Sequence, residues 1–377
     1  MKNLIVGPAF PLRGGIANFN EALCKAFLKS GTESQVISFT LQYPKFLFPG
    51  KTQYDTSGKK PEGIKITSLI NSINPFNWFK VASFIKKQNP DYVIFRYWLP
   101  FMAPCLGTIA KLVKKNSNIK IIAVCDNIIP HEKRLGDNFL TKYFVKQCDG
   151  FVAMSKSVLE DLKKFTDNSN KIFIPHPIYD IFGEKVAKEK AREFIGLKKD
   201  EKYILFFGFI RKYKGLDLLL EAMADERIKN LNVKLIVAGE YYEEKSHYEE
   251  IIKKYNLENS LVLKTEFIPS EEVKYIFCAA DMIVQPYRTA TQSGVTQIAY
   301  HFERPMLVTD VGGLSEIVPN EKVGYVCDVN SKSIADSIVN FYKNSREAEF
   351  SENVKKEKHR FLWENFVNGV ERLLQKI

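Results

Sequence analysis

Short apolar runs alternate with amphipathic segments along the chain. In the first half, six apolar runs bounded by turn-forming residues predict strands: LIVGPAF, QVISFTL, YVIFRYW, IKIIAVC, GFVAMS and KIFIPHP. Between them, segments such as IANFNEALCKAFLKSG and SKSVLEDLKKF carry apolar residues at helical spacing, which predicts helices. Nearly continuous apolar strands that alternate with helices are typical of a parallel sheet covered by helices on both faces.

The same alternation begins again in the second half. Its predicted strands are YILFFG, VKLIVAG, LVLKTEF, MIVQPY, PMLVTD and VGYVCD, with helices such as KGLDLLLEAMA and SEEVKYIFCAA between them. Residues 178–200 are polar and highly charged, which indicates a linker, and residues 356–377 have helical periodicity with no strand after them. We therefore predict an α/β protein with two tandem Rossmann-like domains, residues 1–180 and 181–355, and a C-terminal helix that returns across the junction to the first domain.

The length of 377 residues also favours two domains over one. The longest uncharged run, YWLPFMAPCLGTIA, is too short to span a membrane and contains two prolines, and the chain starts with a strand rather than a charged leader. Six scattered cysteines without metal-ligand spacing favour buried reduced thiols. We therefore expect a cytoplasmic protein without an export signal, a transmembrane segment, a disulfide framework or a zinc site.

Positive charge is concentrated in the first half. Residues 1–180 contain 25 Lys and Arg against 13 Asp and Glu, whereas residues 181–377 contain 30 against 31. This excess is either a solvated surface or a surface for an anionic partner, such as the inner face of the plasma membrane. The aromatic residues beside lysines in YPKFLFPG (43–50) and PFNWF (75–79) either pack inward or form a membrane-facing patch. No nucleic-acid module is recognisable, so nucleic acid is not expected as a partner.

Residues 281–318 combine two predicted strands with two polar turns. After MIVQPY, the loop TATQSG leads into a predicted helix, and after PMLVTD the chain continues with the turn VGG. Turns of this kind present backbone N–H groups to anions at the carboxyl ends of parallel strands. Two such turns on neighbouring strands indicate a nucleotide-phosphate site.

Two further loops follow predicted strands. Gly14 and Gly15 match neither a dinucleotide-binding fingerprint nor a phosphate loop, so they form either a structural turn or a phosphate contact. The second loop, GFIRKYKG, places Arg211, Lys212 and Lys214 directly after YILFF. It is either an ordinary basic surface loop or a diphosphate clamp, because Arg offers planar donors and Lys a compact charge.

Taken together, these motifs resemble those of the family 4 glycosyltransferases of the GT-B fold, over nearly the whole chain. The resemblance rests on P-x-R-G-G-I-A, F-G-x-I-R-x-Y-K-G-L-D-x-L-L-E-A, A-A-D-M-I-V-Q-P-Y-R-x-A-T-Q-S-G-V and D-V-G-G-L-S-E. It implies a cleft between the two domains, with a nucleoside-diphosphate-sugar donor mainly on the second and the acceptor on the first. It also implies sugar transfer with retention and without a metal or another cofactor. A glycan or a lipid-linked molecule is the expected acceptor.

The resemblance gives several residues a role. Lys214 matches the family's diphosphate-binding lysine, and Arg211 is the candidate replacement for the family's arginine, whose position here holds Phe209. Gly14 and Gly15 match the loop that approaches the donor phosphates. Lys214 and Arg211 are therefore expected to be catalytic, because they would act on charge that grows on the departing diphosphate.

The chain departs from the family at its acidic pair. Many members carry E-x7-E around the glycine that is Gly294 here, and neither position is acidic in this chain. The chain resembles the branch with T-Q-S-G-V in this loop, where Gln292 and Gln297 would bind sugar or ribose hydroxyls as neutral partners. The residues expected to bind the donor are Gly14, Gly15, Thr291, Gln292, Ser293, Gly294, Gln297 and Glu316.

One loop of the first half has two further candidates. D-N-I-I-P-H-E follows IKIIAVC, and family members often have a histidine at the position of Asp126, near the reacting sugar. Asp126 or His131 would fill that place as a catalytic residue, unless the loop is structural or merely exposed. The sequence therefore predicts a hexosyltransferase of glycan or polysaccharide biosynthesis. A nucleotide-sugar epimerase of the same fold and a non-catalytic sugar-nucleotide-binding protein are the alternatives.

Overall fold

The computed structural model describes residues 1–44, 52–55, 60–130, 134–291 and 293–377. The chain forms two compact units, the first made of Met1–His176 together with Trp363–Ile377 and the second of Pro177–Leu362. The sequence places the limits of the domains after residues 180 and 355, whereas the units divide after residues 176 and 362.

The first unit is a parallel sheet with helices. Its strands are β1 (Lys2–Val6), β2 (Glu33–Leu41), β3 (Ile66–Asn71), β4 (Tyr92–Tyr97), β5 (Lys120–Cys125), β6 (Gly150–Ala153) and β7 (Lys171–Phe173). The helices between them are α1 (Gly15–Lys29), α2 (Pro75–Lys87), α3 (Ala103–Lys114), α4 (Asp137–Val145) and α5 (Lys156–Lys163). All pairings are parallel, in the order β3-β2-β1-β4-β5-β6-β7.

Six of these strands lie where the apolar runs predict them. Five of the six, β1, β2, β4, β5 and β6, are buried on both faces, and β7 is partly buried at the edge of the sheet. β3 is an additional strand that the hydrophobic pattern does not predict. It lies at the edge of the sheet, most of its residues are only partly buried, and its register with β2 shifts twice. An edge strand of this kind lacks the continuous apolar run that marks the inner strands.

The second unit repeats this plan with six strands. They are β8 (Lys202–Phe207), β9 (Val233–Ala238), β10 (Leu261–Lys264), β11 (Met282–Gln285), β12 (Met306–Thr309) and β13 (Gly324–Cys327). Its helices are α6 (Lys188–Phe194), α7 (Leu216–Met223), α8 (Glu226–Asn230), α9 (Ser246–Lys254), α10 (Ser270–Ala279), α11 (Gly294–His301), α12 (Leu314–Ile317), α13 (Ser331–Lys343) and α14 (Glu347–Glu357). The strands pair in parallel in the order β10-β9-β8-β11-β12-β13.

The prediction of a linker over residues 178–200 is wrong, because α6 forms there and packs against α10. The rings of Phe194 and Tyr275 stack with their centroids 3.8 Å apart. Arg192 is buried, and its guanidinium donates to the Asp281 carboxylate at 2.8 Å, as does the Lys188 ammonium at 2.8 Å. Two cations of this charged segment, Lys188 and Arg192, are therefore paired inside the second unit.

The chain ends in the first unit with α15 (Trp363–Leu374). Its apolar face is buried, and two glycines allow close packing there. A side chain at Gly150 of β6 would lie 3.1 Å from a methyl group of Leu373, and one at Gly369 would contact Ile174. The C-terminal helix thus starts at Trp363, later than the predicted residue 356, and it belongs to the core of the first unit.

Each sheet has one point where the strand order reverses. In the first unit it lies between β1 and β4, and in the second between β8 and β11. Loops that leave the carboxyl ends of two such strands run in opposite directions and open a crevice, where α/β proteins bind ligands. In the second unit these loops are the basic loop after β8 and the TATQSG loop after β11.

Candidate functional site

The loop after β8 folds back beside the strand that precedes it. Gly208 has a φ of 101°, which favours glycine, and the chain then forms a short 3-10 turn over Lys212–Lys214. A Cβ atom at Gly208 would lie 2.8 Å from the Lys214 ammonium nitrogen. Because Gly208 has no side chain, the Lys214 ammonium can pack against the backbone at the carboxyl end of β8.

Lys214 is a half-buried cation without a carboxylate partner among the described residues. Its nitrogen lies 5.6 Å from the ring centre of Tyr287, which follows β11. Burial, and secondly the positive charge of Arg211, lower the pKa of Lys214 to about 8. A cation held in this way gains from binding an anion, because the anion supplies the charge compensation that the protein lacks.

Arg211 stands near Lys214 but makes its own contact. Its guanidinium lies 5.0 Å from the ring centre of Tyr242, and the Phe209 ring packs on the same tyrosine with centroids 4.2 Å apart. The structure thus places Arg211 and Phe209 around one aromatic side chain. The substitution of the family's arginine by Arg211 stays a prediction.

The loop after β11 leads into the first turn of α11. The Ser293 hydroxyl accepts the N–H of Val295 at 3.2 Å, which caps the helix, and donates to the Gln285 side-chain oxygen at 2.6 Å. Tyr287 is buried, and its hydroxyl lies 3.4 Å from the Ser293 hydroxyl. The N–H groups of Ser293 and Gly294 have no acceptor within the described part of the chain. Backbone N–H groups at the start of a helix are groups that bind anions in other proteins.

The two polar turns of residues 281–318 are joined to each other. The N–H of Gly313 donates to the Thr291 carbonyl at 3.2 Å. Gly312 has a φ of 54°, and a side chain there would overlap the carbonyl oxygen of Ala290. The turn after β12 therefore supports the loop after β11, as expected for neighbouring strands.

Arg288 fixes the two loops of the crevice together, and the sequence motifs assign it no role. Its guanidinium forms two parallel hydrogen bonds to the Asp217 carboxylate, at 2.7 and 2.8 Å. Its backbone N–H donates to the Tyr213 carbonyl at 2.7 Å, and its side chain donates to the Lys212 carbonyl at 3.2 Å. Asp217 lies in the motif F-G-x-I-R-x-Y-K-G-L-D, and Arg288 lies in the motif M-I-V-Q-P-Y-R. Their place in these motifs is the sequence feature from which a role could have been suspected.

Three other predicted donor-binding residues differ in their surroundings. Gln297 is completely buried in α11, and neither polar atom of its amide has a hydrogen-bond partner in the described structure. Glu316 is partly buried in α12. Gln292 lies outside the described residues. Tyr287 lies beside both Lys214 and Ser293, and the donor-binding roles of all the predicted site residues stay predictions.

In the first unit, Gly14 precedes α1 with a φ of 116° and open space where a side chain would be. Gly15 is the first residue of that helix. Both lie after β1, at the strand whose neighbour β4 marks the reversal of the sheet. Their contact with donor phosphates stays a prediction.

Asp126 follows β5 and is buried. Both of its carboxylate oxygens accept hydrogen bonds from Arg96, from Nε at 2.6 Å and from Nη2. Arg96 in turn lies 3.7 Å from the ring centre of Phe19. Asp126 therefore compensates a buried cation, and its predicted catalytic role would have to be compatible with this pair. His131 lies outside the described residues.

Within the described ranges, no group of three or more His, Cys, Asp or Glu residues could hold a metal ion. None of the described helices is long and apolar enough to cross a membrane. All six cysteines are buried and unpaired.

Two family models match the chain, one on each side of the division between the units. Residues 13–180 match the model described as Glycosyltransferase Family 4, and residues 187–358 match Glycosyl transferases group 1. The chain belongs to the family 4 type of glycosyltransferases. The second match contains β8, β11 and the loops that follow them, and the first contains Gly14 and Asp126.

Known proteins of this type resemble the chain at low identity. It is 30% identical to the uncharacterized glycosyltransferase MJ1607 of Methanocaldococcus jannaschii over 42% of this chain, which spans 40% of that protein. It is 23% identical to the D-inositol 3-phosphate glycosyltransferase of Corynebacterium urealyticum over 84% of this chain and 78% of the relative. The structure of Anabaena HepE in complex with UDP superposes with a TM-score of 0.76 at 15% identity, covering both chains completely. The fold of this glycosyltransferase is GT-B.

Proposed function

We propose that the protein transfers a hexose-type sugar from a nucleoside-diphosphate-sugar donor to a glycan or lipid-linked acceptor, with retention and without a metal. The observation that carries the proposal is the position of Lys214. This ammonium group lacks a carboxylate partner in the described structure and lies after β8, with its nitrogen 5.6 Å from the ring centre of Tyr287, which follows β11. A diphosphate supplies the negative charge that this arrangement lacks.

The arrangement would act on the leaving group. When the bond between the anomeric carbon and the diphosphate oxygen breaks, negative charge grows on the diphosphate. Lys214, Arg211 and the N–H groups of Ser293 and Gly294 would stabilise that charge more strongly in the transition state than in the ground state. The acceptor hydroxyl would attack from the same face, and the leaving phosphate would take its proton.

Similar proteins support the class of donor. HepE of Anabaena, which shares the fold, is described in complexes with UDP and with UDP-glucose. The absence of the E-x7-E pair around Gly294 leaves the donor sugar to be decided by neutral groups, as the T-Q-S-G-V branch predicts. Thr291, Gln292 and Gln297 are the neutral candidates for these contacts, and Glu316 is an acidic candidate on the neighbouring turn.

A two-stage experiment tests the proposal. A thermal-shift screen with UDP-, GDP-, TDP- and ADP-sugars identifies the donor, because a ligand that binds only the folded state raises its melting temperature. The selected donor is then incubated with candidate acceptors, with and without EDTA, and the product is analysed by NMR for its anomeric configuration. We expect transfer with retention that EDTA does not reduce.

The Lys214→Ala variant gives the decisive comparison. We expect its kcat to fall by about 10²-fold or more, the effect of removing one group that stabilises transition-state charge, with an unchanged melting temperature. A well-folded Lys214→Ala protein with full activity would contradict the proposal. Conversion of the nucleotide-sugar without any acceptor would identify an epimerase instead, and binding without transfer or hydrolysis across the panel would identify a non-catalytic protein.

A further inference from the structure

The first unit has a basic surface that the proposed donor site does not use. Between residues 63 and 125 the chain contains nine Lys and Arg and one acidic residue. The helices α2 and α3 contain no Asp or Glu, and their lysines are Lys80, Lys86, Lys87, Lys111 and Lys114. Five of these nine cations therefore lie on two neighbouring helices that contain no carboxylate.

Large apolar side chains are exposed at the start of α2. Phe76 is 82% exposed, Phe79 is 57% exposed, and Ile73 just before the helix is 51% exposed. The opposite face of the helix is buried in the core. Within PFNWF, Trp78 is partly buried and donates to the Asn71 carbonyl at 2.8 Å, so one ring packs inward and two point to solvent.

The exposed rings and the lysines form one surface. Phe79, Lys86, Lys87 and Lys115 line a common groove between α2 and α3. Lys80, Lys87 and Lys115 are exposed and have no carboxylate partner in the described part of the chain. We refer to Phe76, Phe79, Lys80, Lys87 and Lys115 as the α2 surface.

The helix that carries this surface is fixed before any partner binds. Asn74 caps it, because its side-chain oxygen accepts the N–H groups of Phe76 at 3.1 Å and Asn77 at 3.3 Å. Pro75 occupies the first helical position, where its ring conformation suits a helix start. A partner therefore meets the two phenylalanine rings in a preformed arrangement and does not have to order the helix.

We propose that the α2 surface binds an anionic phospholipid bilayer. The phenylalanine rings enter the boundary between headgroups and acyl chains, and the lysines attract the lipid phosphates. A bilayer fits this surface better than an acidic protein does, because the cores of protein–protein interfaces are depleted in lysine. The proposal is independent of the sugar donor and concerns where the enzyme works rather than which bond it makes.

Co-sedimentation of the full chain with vesicles tests the proposal. We expect binding to vesicles of phosphatidylglycerol and phosphatidylcholine, weaker binding at high salt, and little binding to phosphatidylcholine alone. The variant with Lys80→Gln, Lys87→Gln and Lys115→Gln should bind about 100-fold more weakly, at about fivefold for each lysine. The variant with Phe76→Ser and Phe79→Ser should bind the anionic vesicles at least about tenfold more weakly. Both rings are exposed in the free protein and would be buried only in the bilayer.

A matched control removes the same charge elsewhere. Lys332, Lys355 and Lys356 are exposed lysines of the second unit with no ion pair in the described structure, and their triple change to Gln should leave vesicle binding within about twofold of the unchanged protein. Equal weakening by both triple variants, or no sedimentation with anionic vesicles, overturns the proposal. Transfer to a soluble acceptor should be unchanged in the α2 variants, which separates a failure here from a failure of the proposed function.

Discussion

Lys214 loses its proton within the range of ordinary assay conditions, since its pKa is lowered to about 8. Below this pH the ammonium is charged and binds a diphosphate, and above it binding requires the uptake of a proton. We predict that the affinity for a nucleoside-diphosphate sugar is constant from pH 6.5 to 7.5 and falls above pH 8 by up to about tenfold per pH unit. Tyr213 and Tyr287 do not interfere, because burial raises their pKa values.

Calorimetric titrations across this range check the prediction, with Lys214→Arg as the matched variant. The guanidinium stays charged throughout, so the decline above pH 8 should disappear even if the affinity at pH 7 is lower. If the donor affinity of Lys214→Arg falls with pH in the same way as that of the unchanged protein, the pH dependence belongs to a group other than Lys214.

The lowered pKa also has a consequence for stability. The folded state holds the charged Lys214 less favourably than the unfolded state does, and this penalty is fully present below about pH 8 and disappears above the ordinary pKa of lysine. We predict that Lys214→Met melts at pH 7 at the same temperature as the unchanged protein or higher, and that it has lost donor binding. A lower melting temperature would show that Lys214 supports the fold rather than the ligand.

At the scale of elements, Arg288 and Asp217 hold the loop after β11 against the start of α7. Arg288→Lys keeps the charge and loses the paired hydrogen bonds, so the basic loop should no longer hold Lys214 in place. We predict a fall in kcat/KM of about 10²-fold, mainly in kcat, because a small misplacement of a catalytic group has an effect of this size.

Steady-state kinetics of Arg288→Lys, Asp217→Asn and the double variant test this prediction. The two single changes should not add, because each breaks the same pair. Arg227 offers the control, since it pairs with Asp225 and Asp336 on the surface, and Arg227→Lys should leave kinetics unchanged. Additive effects of the two changes would mean that Arg288 and Asp217 act separately.

The turn after β12 gives a second test at this scale. In Gly312→Ala the methyl group would overlap the Ala290 carbonyl, and neither backbone segment can move without moving the donor loop. Gly136 also has a positive φ, but a side chain there would meet open space. Gly136→Ala should therefore lower the free energy of unfolding by only ~1–2 kcal/mol, the cost of a left-handed backbone conformation for alanine. We predict that Gly312→Ala lowers the free energy of unfolding in urea by more than Gly136→Ala does. Only Gly312→Ala should also lower the affinity for the donor.

The difference between predicted and observed elements has physical causes. Inner strands and glycine-marked turns can be recognised locally, because burial on both faces and positive φ values restrict the residues allowed there. The strand β3 and the helix α6 depend on partners: β3 pairs along one edge, and Lys188 and Arg192 of α6 pair with Asp281. Likewise, Arg288 and Asp217 pair although they are 71 residues apart in the sequence. A local sequence pattern cannot predict such a contact.

At the scale of the whole molecule, the first unit is built from both ends of the chain. The four large side chains Phe366, Val367, Val370 and Leu373 of α15 are buried in it. Each contributes about 1.5–3 kcal/mol when fully buried, so together they match the free energy of unfolding of a typical domain, about 5–15 kcal/mol. We predict that a chain ending at Leu362 has an unfolded or molten first unit and a folded second unit.

Hydrogen exchange measured by mass spectrometry distinguishes the two units within one protein. In the shortened chain, protection should be lost in β1, β6 and β7 and retained in β8, β11 and β12, because the buried contacts of α15 lie in the first unit. Leu373→Ala in the full chain should weaken protection of the same strands by about 2–5 kcal/mol. Glu364 and Asn368 lie on the exposed face of α15. Glu364→Ala and Asn368→Ala should therefore leave the hydrogen-exchange protection of these strands unchanged. Equal loss of protection in both units would mean that they unfold as one cooperative body, with α15 supporting the second unit as strongly as the first.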